Sequence, residues 1–337
     1  MMQYWMREAA DLAAYLAVRA TVCVIQSLPL SVCAAGADAA AHIMWSVLRL
    51  RRKVVDGNLQ IAFPDASQGE RAAMAVGMWR HLFLMVCEVA HAPRKVRRSN
   101  WKAHSSIEAM EPLVRQLLSP RPTVIISGHL GNFEMGGYLL GVHGFQTHTI
   151  ARPLDNRRLG RWVDEFRGAT GQHILPKDGS GPQIAHLLEQ GGTLVLLGDQ
   201  FAHGHACWVD FFGKPAATHK AVAVFTLSGA APTSVCAVLR NRSPLHFRML
   251  TAGLVDPQAA DFELGSIPLP TQWYTQHLEE LIRHAPDQYW WVHRRWKGAP
   301  PAKRRRGAPQ SPPAPHITHQ ETSTPPCDDA VPRDNLG

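Results

Sequence analysis

The stretch that most constrains this fold runs from Pro122 to Tyr138 and predicts a strand, a tight turn and a helix in direct succession. Thr123 to Ser127 form a short apolar run rich in β-branched residues, which is typical of a buried strand. Gly128 breaks the run, and Asn132 has a side chain that commonly caps the start of a helix. A strand that turns sharply into a helix is a building unit of α/β folds, so we expect an α/β structure.

Two side chains able to share a proton flank this turn. His129 follows the strand, and Glu134 lies in the first turn of the helix. In one continuous helix, five steps of about 100° would point the two side chains some 140° apart. They meet only if His129 lies in the turn, where Gly128 and Gly131 free the backbone. We predict an imidazole–carboxylate pair; the alternative is a Glu that complements the helix dipole and an unrelated His.

Two further apolar runs, Thr147–Ala151 and Thr193–Leu197, predict strands that end in polar residues. Arg152 follows the first strand, and Asp199 and Gln200 follow the second. Ligands of an open parallel sheet bind at the carboxyl ends of its strands, so we expect these residues to converge with the histidine of the turn. The pattern predicts an α/β fold with a central, mostly parallel sheet flanked by helices.

The remaining periodic segments fill the layers around this sheet. Apolar spacing predicts helices at 68–92, 159–170, 184–190 and 271–284, and two antiparallel strands at 233–239 and 245–250. We expect residues 49–298 to form the α/β domain. The Pro-rich stretch 299–337 holds almost no large apolar residues, so we expect a disordered tail.

The chain is basic, with a formal net charge of +8 and a pI near 9.4, which favours an acidic partner. The sequence has no zinc-finger spacing, no RNA-binding aromatic motif and no basic helix joined to a dimerising heptad. We therefore expect anionic membrane lipid as a partner and no nucleic acid. The six cysteines form no CxxC pair and indicate neither a zinc site nor a disulfide framework.

Residues 1–48 form a hydrophobic helical segment that we expect to anchor the chain to a membrane. Its longest charge-free run, Ala20–Ala37, is close to the minimum length that spans a bilayer, but Pro29 interrupts it. We therefore expect the segment to lie in the membrane or enter it partly, with Trp5 and Trp45 at the interface. The alternative is an ordinary pair of core helices.

Four cations follow this segment directly, between Arg49 and Lys53. Cations just after an apolar anchor are placed to contact lipid phosphates of the cytoplasmic leaflet. This arrangement also predicts a cytoplasmic orientation of the chain.

Several longer patterns occur in one order along the chain. SGHLGNFE (127–134) resembles the His-x4-Asp/Glu motif of membrane lipid acyltransferases, NLQIAFP (58–64) the NLxxAFP signature, FFGKPAAT (211–218) the FFGxPAxT segment and QYWWVHRRWK (288–297) the QYxWxHRRxK segment. Together they are most similar to the lipid A late acyltransferases of the bacterial inner membrane, in the lysophospholipid-acyltransferase-like superfamily. The resemblance spans about residues 5–297 and implies a glycerolipid-acyltransferase-like fold.

The resemblance also implies a reaction: transfer of a fatty acyl chain from an acyl carrier protein or coenzyme A thioester to a hydroxyl of a membrane glycolipid, a lipid A precursor. The expected place is the cytoplasmic face of the inner membrane, with no cofactor and no metal. His129 would be the general base and Glu134 would orient its ring. Because no GxSxG elbow is present, we expect direct attack by the hydroxyl. Backbone N–H groups of the Gly128–Asn132 turn, or Arg152, would meet the oxyanion.

Six residues are predicted to bind substrate. The resemblance implies that Arg152 holds an anionic group or the acyl donor. Asp199, at the same edge of the sheet, is expected either to pair with Arg152 or to position a substrate group. Lys177 follows a strand and is a candidate phosphate contact, the alternative being a solvated loop cation. The full set is Asn132, Arg152, Lys177, Asp199, Gln200 and Arg294.

After Gln200 the chain departs from the family pattern, with FAHGHACW (201–208) in place of a short Gly-rich segment. Asp199, His203 and His205 are thus candidate metal ligands, and a metal-assisted lipid hydrolase is an alternative function. Histidines in a loop are more often polar surface, so we expect no metal. Two alternatives remain: transfer to another membrane lipid, such as an acylated mannoside or an aminolipid, and a non-catalytic protein that binds anionic membrane.

Overall fold

A seven-stranded sheet carries the predicted site in the computed structural model, which describes residues 1–204 and 206–300. The strands are β1 (Ser105–Glu108), β2 (Thr123–Ser127), β3 (Thr147–Ala151), β4 (Gln172–Pro176), β5 (Thr193–Leu197), β6 (Cys207–Phe211), β7 (Lys214–Thr218), β8 (Thr233–Arg240) and β9 (Phe247–Val255). The order in the large sheet is β1-β9-β8-β2-β5-β3-β4. Its described neighbours are parallel except β8 and β9, which are antiparallel.

Helices cover this sheet, so the predicted α/β fold class is confirmed. They are α1 (Met2–Ser27), α2 (Leu30–His42), α3 (Arg52–Ala62), α4 (Gln68–Lys95), α5 (Glu111–Leu117), α6 (Phe133–Val142), α7 (Arg157–Gly168), α8 (Gly181–Glu189), α9 (Ala221–Ser228) and α10 (Pro268–His284). The helices and antiparallel strands predicted from periodicity are all present, with ends shifted by a few residues. The hairpin of β6 and β7 was not predicted; it forms a separate two-stranded sheet.

The central strand β2 is buried on both faces. Alternate side chains of a strand point to opposite faces, and here Val124 and Ile126 join one apolar cluster while Ile125 joins another with Met135 and Leu139 of α6. All five are at most 3% exposed. Full burial of an aliphatic side chain stabilises the fold by about 1.5–3 kcal/mol, so the run that suggested a strand also fixes the sheet between two helical layers.

The long helix α4 begins at a capping box. Ser67 Oγ accepts a hydrogen bond from the Glu70 backbone N–H at 3.2 Å, and the Ser67 N–H donates to Glu70 Oε2 at 2.7 Å. These two contacts satisfy donors that the first helical turn leaves free. The helix continues through Pro93 to Lys95, three residues beyond its predicted end.

Pro29 separates α1 from α2, as its position in the sequence predicted. The first half of α1 faces the protein with polar groups: Glu8 pairs with Arg158 at 3.0 Å, and Asn156 donates to the carbonyl of Asp11 at 2.7 Å. Further along the helix, Val22 is buried. The outer side of α1 carries exposed apolar residues, among them Leu12, Leu16 and Val24. The first half of the helix therefore carries its apolar side outward, opposite to an ordinary surface helix.

By length and composition alone, two stretches could cross a membrane, Leu30–Leu48 and Gln68–Lys95. The second belongs to the core, as predicted for α4. Trp45 is 5% exposed and lies under the Arg52 guanidinium, 4.7 Å from the ring centroid. The prediction that Trp45 lies at a membrane interface is wrong, because the ring is buried. The division at residues 48 and 298 stays a prediction, and the predicted tail beyond residue 300 lies outside the described residues.

Candidate active site

The strand ends of β2 and β5 bring His129 and Asp199 together. These strands are parallel neighbours, and each is followed by a short polar segment at the same edge of the sheet. His129 Nδ1 lies 2.9 Å from Asp199 Oδ1, and the His129 backbone N–H donates to Oδ2 at 2.9 Å. Both oxygens of one carboxylate thus fix the ring and the backbone of the histidine.

The charges at this pair reinforce each other. Burial alone would lower the pKa of His129, but the charge and hydrogen bond of Asp199, together with the charge of Glu134, hold that pKa above its ordinary value. Burial would likewise raise the pKa of Asp199, and His129 outweighs it, with help from the buried Arg295, so the carboxyl stays ionised. His129 is therefore a stronger base than a free imidazole.

The second ring nitrogen of His129 faces Gln200. An ionised carboxylate only accepts hydrogen bonds, so Nδ1 carries the proton donated to Asp199, and Nε2 of the neutral ring keeps its lone pair. Gln200 Nε2 lies 3.1 Å from it and donates. The edges of Phe133 and Trp290 pack beside the ring, at centroid distances of 4.9 and 5.5 Å. Asp199 and two aromatic rings therefore fix the imidazole, and Gln200 covers its second nitrogen.

Glu134 does not contact the imidazole, so the predicted pairing of His129 with Glu134 is wrong. Both carboxylate oxygens of Glu134 instead accept from Arg167 of α7, at 2.6 and 2.9 Å. The reason is geometric: Glu134 lies in the first turn of α6, on the side of that helix that faces α7. Its charge acts on His129 only through space.

A cavity of about 1310 Å³ opens beside His129, lined by the sheet and by α6 and α7. Its charged lining residues include Arg152 and Lys177, with His203 and His219 nearby. Its fully buried lining is mostly apolar and includes Met110, Leu113, Ile125, Leu140 and Met249. The space therefore combines polar lining near His129 with a buried apolar part large enough for a hydrocarbon chain.

Four of the six predicted substrate-binding residues lie on or beside this cavity: Arg152, Lys177 and Gln200 in its lining, and Asp199 behind His129. The side chain of Arg152 is 79% exposed and lies 3.8 Å from Asp155, so the expected pair of Arg152 with Asp199 is not formed. Asp199 serves the histidine instead.

The prediction that Asn132 binds substrate is wrong. Asn132 is fully buried; its Oδ1 caps α6 by accepting from Met135 N–H at 3.2 Å, and its Nδ2 donates to Glu88 at 2.8 Å. Arg294 is exposed. Its neighbour Arg295 is the buried one, with Nη1 donating to the Ala217 carbonyl at 2.6 Å.

Two family-like segments support the site from behind. Asn58 of the NLQIAFP segment donates from Nδ2 to the carbonyls of Trp291 and His293, each at 2.7 Å. His293 lines the cavity, and its Nε2 accepts from the Phe201 N–H at 2.9 Å. Sequence reasoning missed His293 and Arg295 as site residues, although both lie inside the QYWWVHRRWK pattern that it had singled out.

The backbone of the turn has little left to offer an oxyanion. The N–H groups of His129, Gly131 and Asn132 already donate to Asp199 Oδ2, the Gln288 carbonyl and the Val238 carbonyl. The expectation that this turn supplies the oxyanion donors is therefore wrong for these three groups.

A metal site finds little support in the geometry. No group of three or more His, Cys, Asp or Glu side chains within residues 1–204 and 206–300 is arranged to hold a metal. Both oxygens of Asp199 are occupied by His129. His203 lies in the cavity wall, and His205 lies outside the described residues.

Known proteins match this chain over most of its length. Residues 6–298 match the family model for bacterial lipid A biosynthesis acyltransferases. The lipid A biosynthesis palmitoleoyltransferase of Escherichia coli K12 is 25% identical over 260 residues, covering 75% of this chain and 81% of that protein. The lipid A biosynthesis lauroyltransferase of the same strain is 23% identical over 262 residues, with the same coverage.

Among solved structures, that of the 1-acyl-sn-glycerophosphate acyltransferase PlsC from Thermotoga maritima is similar, with a TM-score of 0.37 and 10% identity over 78% of this chain and 100% of that chain. The family match includes the turn, His129, Asp199 and the C-terminal segment, and so confirms the resemblance inferred from the motifs. This chain belongs to the family of bacterial lipid A biosynthesis acyltransferases.

Proposed function

We propose that this protein transfers a fatty acyl chain from the thioester of an acyl carrier protein or of coenzyme A to a hydroxyl of a lipid A precursor. Family membership and the names of the relatives support the reaction class. The observation that carries the mechanism is the pair of His129 and Asp199 at the entrance of a largely apolar cavity of about 1310 Å³.

His129 acts as the general base through Nε2. The acceptor hydroxyl displaces the Gln200 amide from Nε2 and gives its proton to that nitrogen as its oxygen attacks the thioester carbonyl carbon. Asp199 keeps the proton of Nδ1 in place and stabilises the imidazolium that forms. The tetrahedral intermediate then collapses: the C–S bond breaks, and the thiolate takes the proton from Nε2.

Gln200 supplies the donor for the oxyanion. Its amide nitrogen lies 3.1 Å from His129 Nε2. Once the acceptor hydroxyl has displaced this amide, its N–H is free to donate to the carbonyl oxygen that gains the charge. The amide is uncharged, so it stabilises the oxyanion without placing a second positive charge beside the imidazolium of His129. The sequence had suggested the backbone of the turn, or Arg152, for this role.

The apolar part of the cavity holds the acyl chain. Each buried methylene contributes about 0.8 kcal/mol, so the chain of the donor gives a large share of its binding energy there. The buried lining residues from α5, α6 and the sheet face this space.

The acceptor lies at a basic surface next to the cavity. Arg51, from the cationic run after α2, lies near enough to His293 to help lower the pKa of that ring, although burial is the larger cause. His293 lines the cavity. The exposed apolar side of α1 and this basic run fit the cytoplasmic leaflet of a bacterial inner membrane, where the phosphates of an anionic lipid meet the cations.

The test is an assay of purified protein with a lipid A precursor in mixed micelles and one acyl chain presented on either carrier. We expect an added acyl group by mass spectrometry, and a fall of about 10³-fold in turnover for His129→Ala. His186→Ala, at an exposed histidine outside the cavity, is the matched control and should behave as wild type. Full transfer by His129→Ala would refute the mechanism.

A further inference from the structure

Behind the catalytic turn lies a second buried carboxylate, Glu88 of α4, which is 0% exposed. Its Oε1 accepts from Arg240 Nε at 2.6 Å and from the Leu245 N–H at 3.1 Å. Its Oε2 accepts from Arg240 Nη2 at 2.6 Å and from Asn132 Nδ2 at 2.8 Å. Four donors thus surround one carboxylate, and one of them belongs to the turn that carries His129.

A histidine extends the same network to the next residue of the turn. Arg240 Nη1 donates to His81 Nδ1 at 2.7 Å, and His81 Nε2 lies 3.0 Å from the carbonyl oxygen of Gly131. Burial, with the charge of Arg240, lowers the pKa of His81 to about 3. The ring is therefore neutral in the working range, and it has one tautomer, with the proton on Nε2 donated to Gly131.

Close packing against β8 leaves the turn no space for another backbone conformation. Gly131 has a left-handed φ of +58°, and a Cβ on it would lie 2.1 Å from the carbonyl oxygen of Val238. The Asn132 N–H donates to that same carbonyl at 2.8 Å. The turn is pressed against β8, and the side chains of α4 fix the direction of its peptide groups.

Stability alone is a poor explanation of these charges. A buried ion pair loses much of its attraction to desolvation, and apolar residues of similar volume often stabilise a core equally well. What the apolar replacement lacks is direction: it leaves the Gly131 carbonyl and the Asn132 amide without fixed partners.

We infer that His81, Glu88 and Arg240 form a rear cradle of positioning residues, which sets the orientation of the His129 ring towards Asp199 and the cavity. They touch neither substrate nor the reacting atoms. The entry of the turn is fixed by Asp199 at the His129 N–H, and its exit by the rear cradle at Gly131 and Asn132. The inference rests on the proposed function, because it assumes that His129 is the base.

The test compares His81→Gln with His81→Asn. The amide nitrogen of Gln matches Nε2 and still reaches the Gly131 carbonyl, whereas the shorter Asn does not. A displacement of about 1 Å costs about 10²-fold in rate, so we expect kcat of His81→Asn to fall about 10- to 100-fold with little change in KM, and that of His81→Gln to stay within a few-fold of wild type. The dependence of kcat/KM on pH should change as well. Asp199 raises the pKa of His129, so a misaligned pair lowers that pKa and shifts the acidic limb of the profile to lower pH.

The matched control removes another ion pair, that of Arg121 with Asp256, which lies away from the turn. Arg121→Met should lower the melting temperature and leave kcat and the acidic limb unchanged. The rear cradle is refuted if His81→Asn and His81→Gln have equal kcat and equal limbs, or if both lose only melting temperature. Activity retained by His129→Ala would refute the proposed function itself, whatever the His81 variants do.

Discussion

Asp199 and Glu88 are both buried carboxylates that bind the same turn from opposite sides, yet their surroundings differ. Asp199 has a histidine as its main partner, and that histidine keeps one nitrogen at a cavity. Glu88 accepts two hydrogen bonds from a guanidinium and two from other donors, and every one of these donors is inside the protein. His129 and Asp199, which we call the front pair, lie beside a cavity where a substrate fits. Glu88 and Arg240 of the rear cradle do not.

The difference teaches what each environment permits. A carboxylate beside an imidazole with an accessible nitrogen can support proton transfer, because the ring changes its charge near neutral pH. A carboxylate beside an arginine cannot, because the guanidinium stays protonated at any working pH. One side of the turn is built for chemistry and the other for fixed geometry.

The largest effect should follow from breaking the front pair. In Asp199→Asn, burial is no longer opposed by a negative charge, so the pKa of His129 falls and the acidic limb of kcat/KM moves to lower pH. We also expect kcat/KM to fall about 10³-fold, because the ring loses its orienting acceptor. Asp256→Asn, which breaks the Arg121 pair, is the control and should leave the limb in place. An unchanged limb in Asp199→Asn would contradict this assignment.

A smaller effect is expected for Glu134→Gln, which distinguishes the contribution of Glu134 from that of Asp199. The change leaves Arg167 without its bidentate carboxylate, and losing hydrogen bonds to a charged group costs about 1.5–3 kcal/mol of stability. We therefore expect a lower melting temperature and a smaller loss of turnover than in Asp199→Asn. The acidic limb should move to lower pH, but less than in Asp199→Asn, because Glu134 acts on the pKa of His129 only as a minor charge. A larger shift than that of Asp199→Asn would restore Glu134 as the orienting partner.

The smallest effect is expected for Gly136→Leu, which narrows the cavity beside His129. A Cβ on Gly136 meets only a Val238 methyl at 3.7 Å, an ordinary contact, and Gly136 lines the cavity. Gly136→Leu should therefore fold and select shorter chains, with about a fourfold loss in kcat/KM for each methylene denied its place. Gly131→Ala, on the rear side, should reduce transfer of all chain lengths alike. Equal chain-length profiles for Gly136→Leu and wild type would exclude the cavity as the acyl site.

The sequence predicted the frame of the site well. Apolar runs with β-branched residues identified β2, β3 and β5, and parallel topology then predicted that His129, Arg152 and Asp199 lie at one edge. The partner of His129 was not predictable in the same way. Asp199 lies 70 residues further along the chain, and local patterns do not say which strand is the neighbour of β2.

The wrong residue assignments have a common cause. Glu134 and Asn132 are near His129 in sequence, but a helix start turns successive side chains in different directions, towards Arg167 in one case and Glu88 in the other. Of the two adjacent arginines near the C-terminal end, only burial distinguishes Arg295 from Arg294. Partners on α4 and α7 decide these roles, and no pattern inside the turn shows them.

His129 and Asp199 follow two strands that are far apart in the sequence, which determines when their contact forms during folding. β2 emerges from the ribosome with His129 long before β5 brings Asp199, and a contact between such distant segments forms late in folding. Until β5 docks, the imidazole has no fixed acceptor at Nδ1. The pair of His129 and Asp199 is therefore complete only after the sheet has closed around β2.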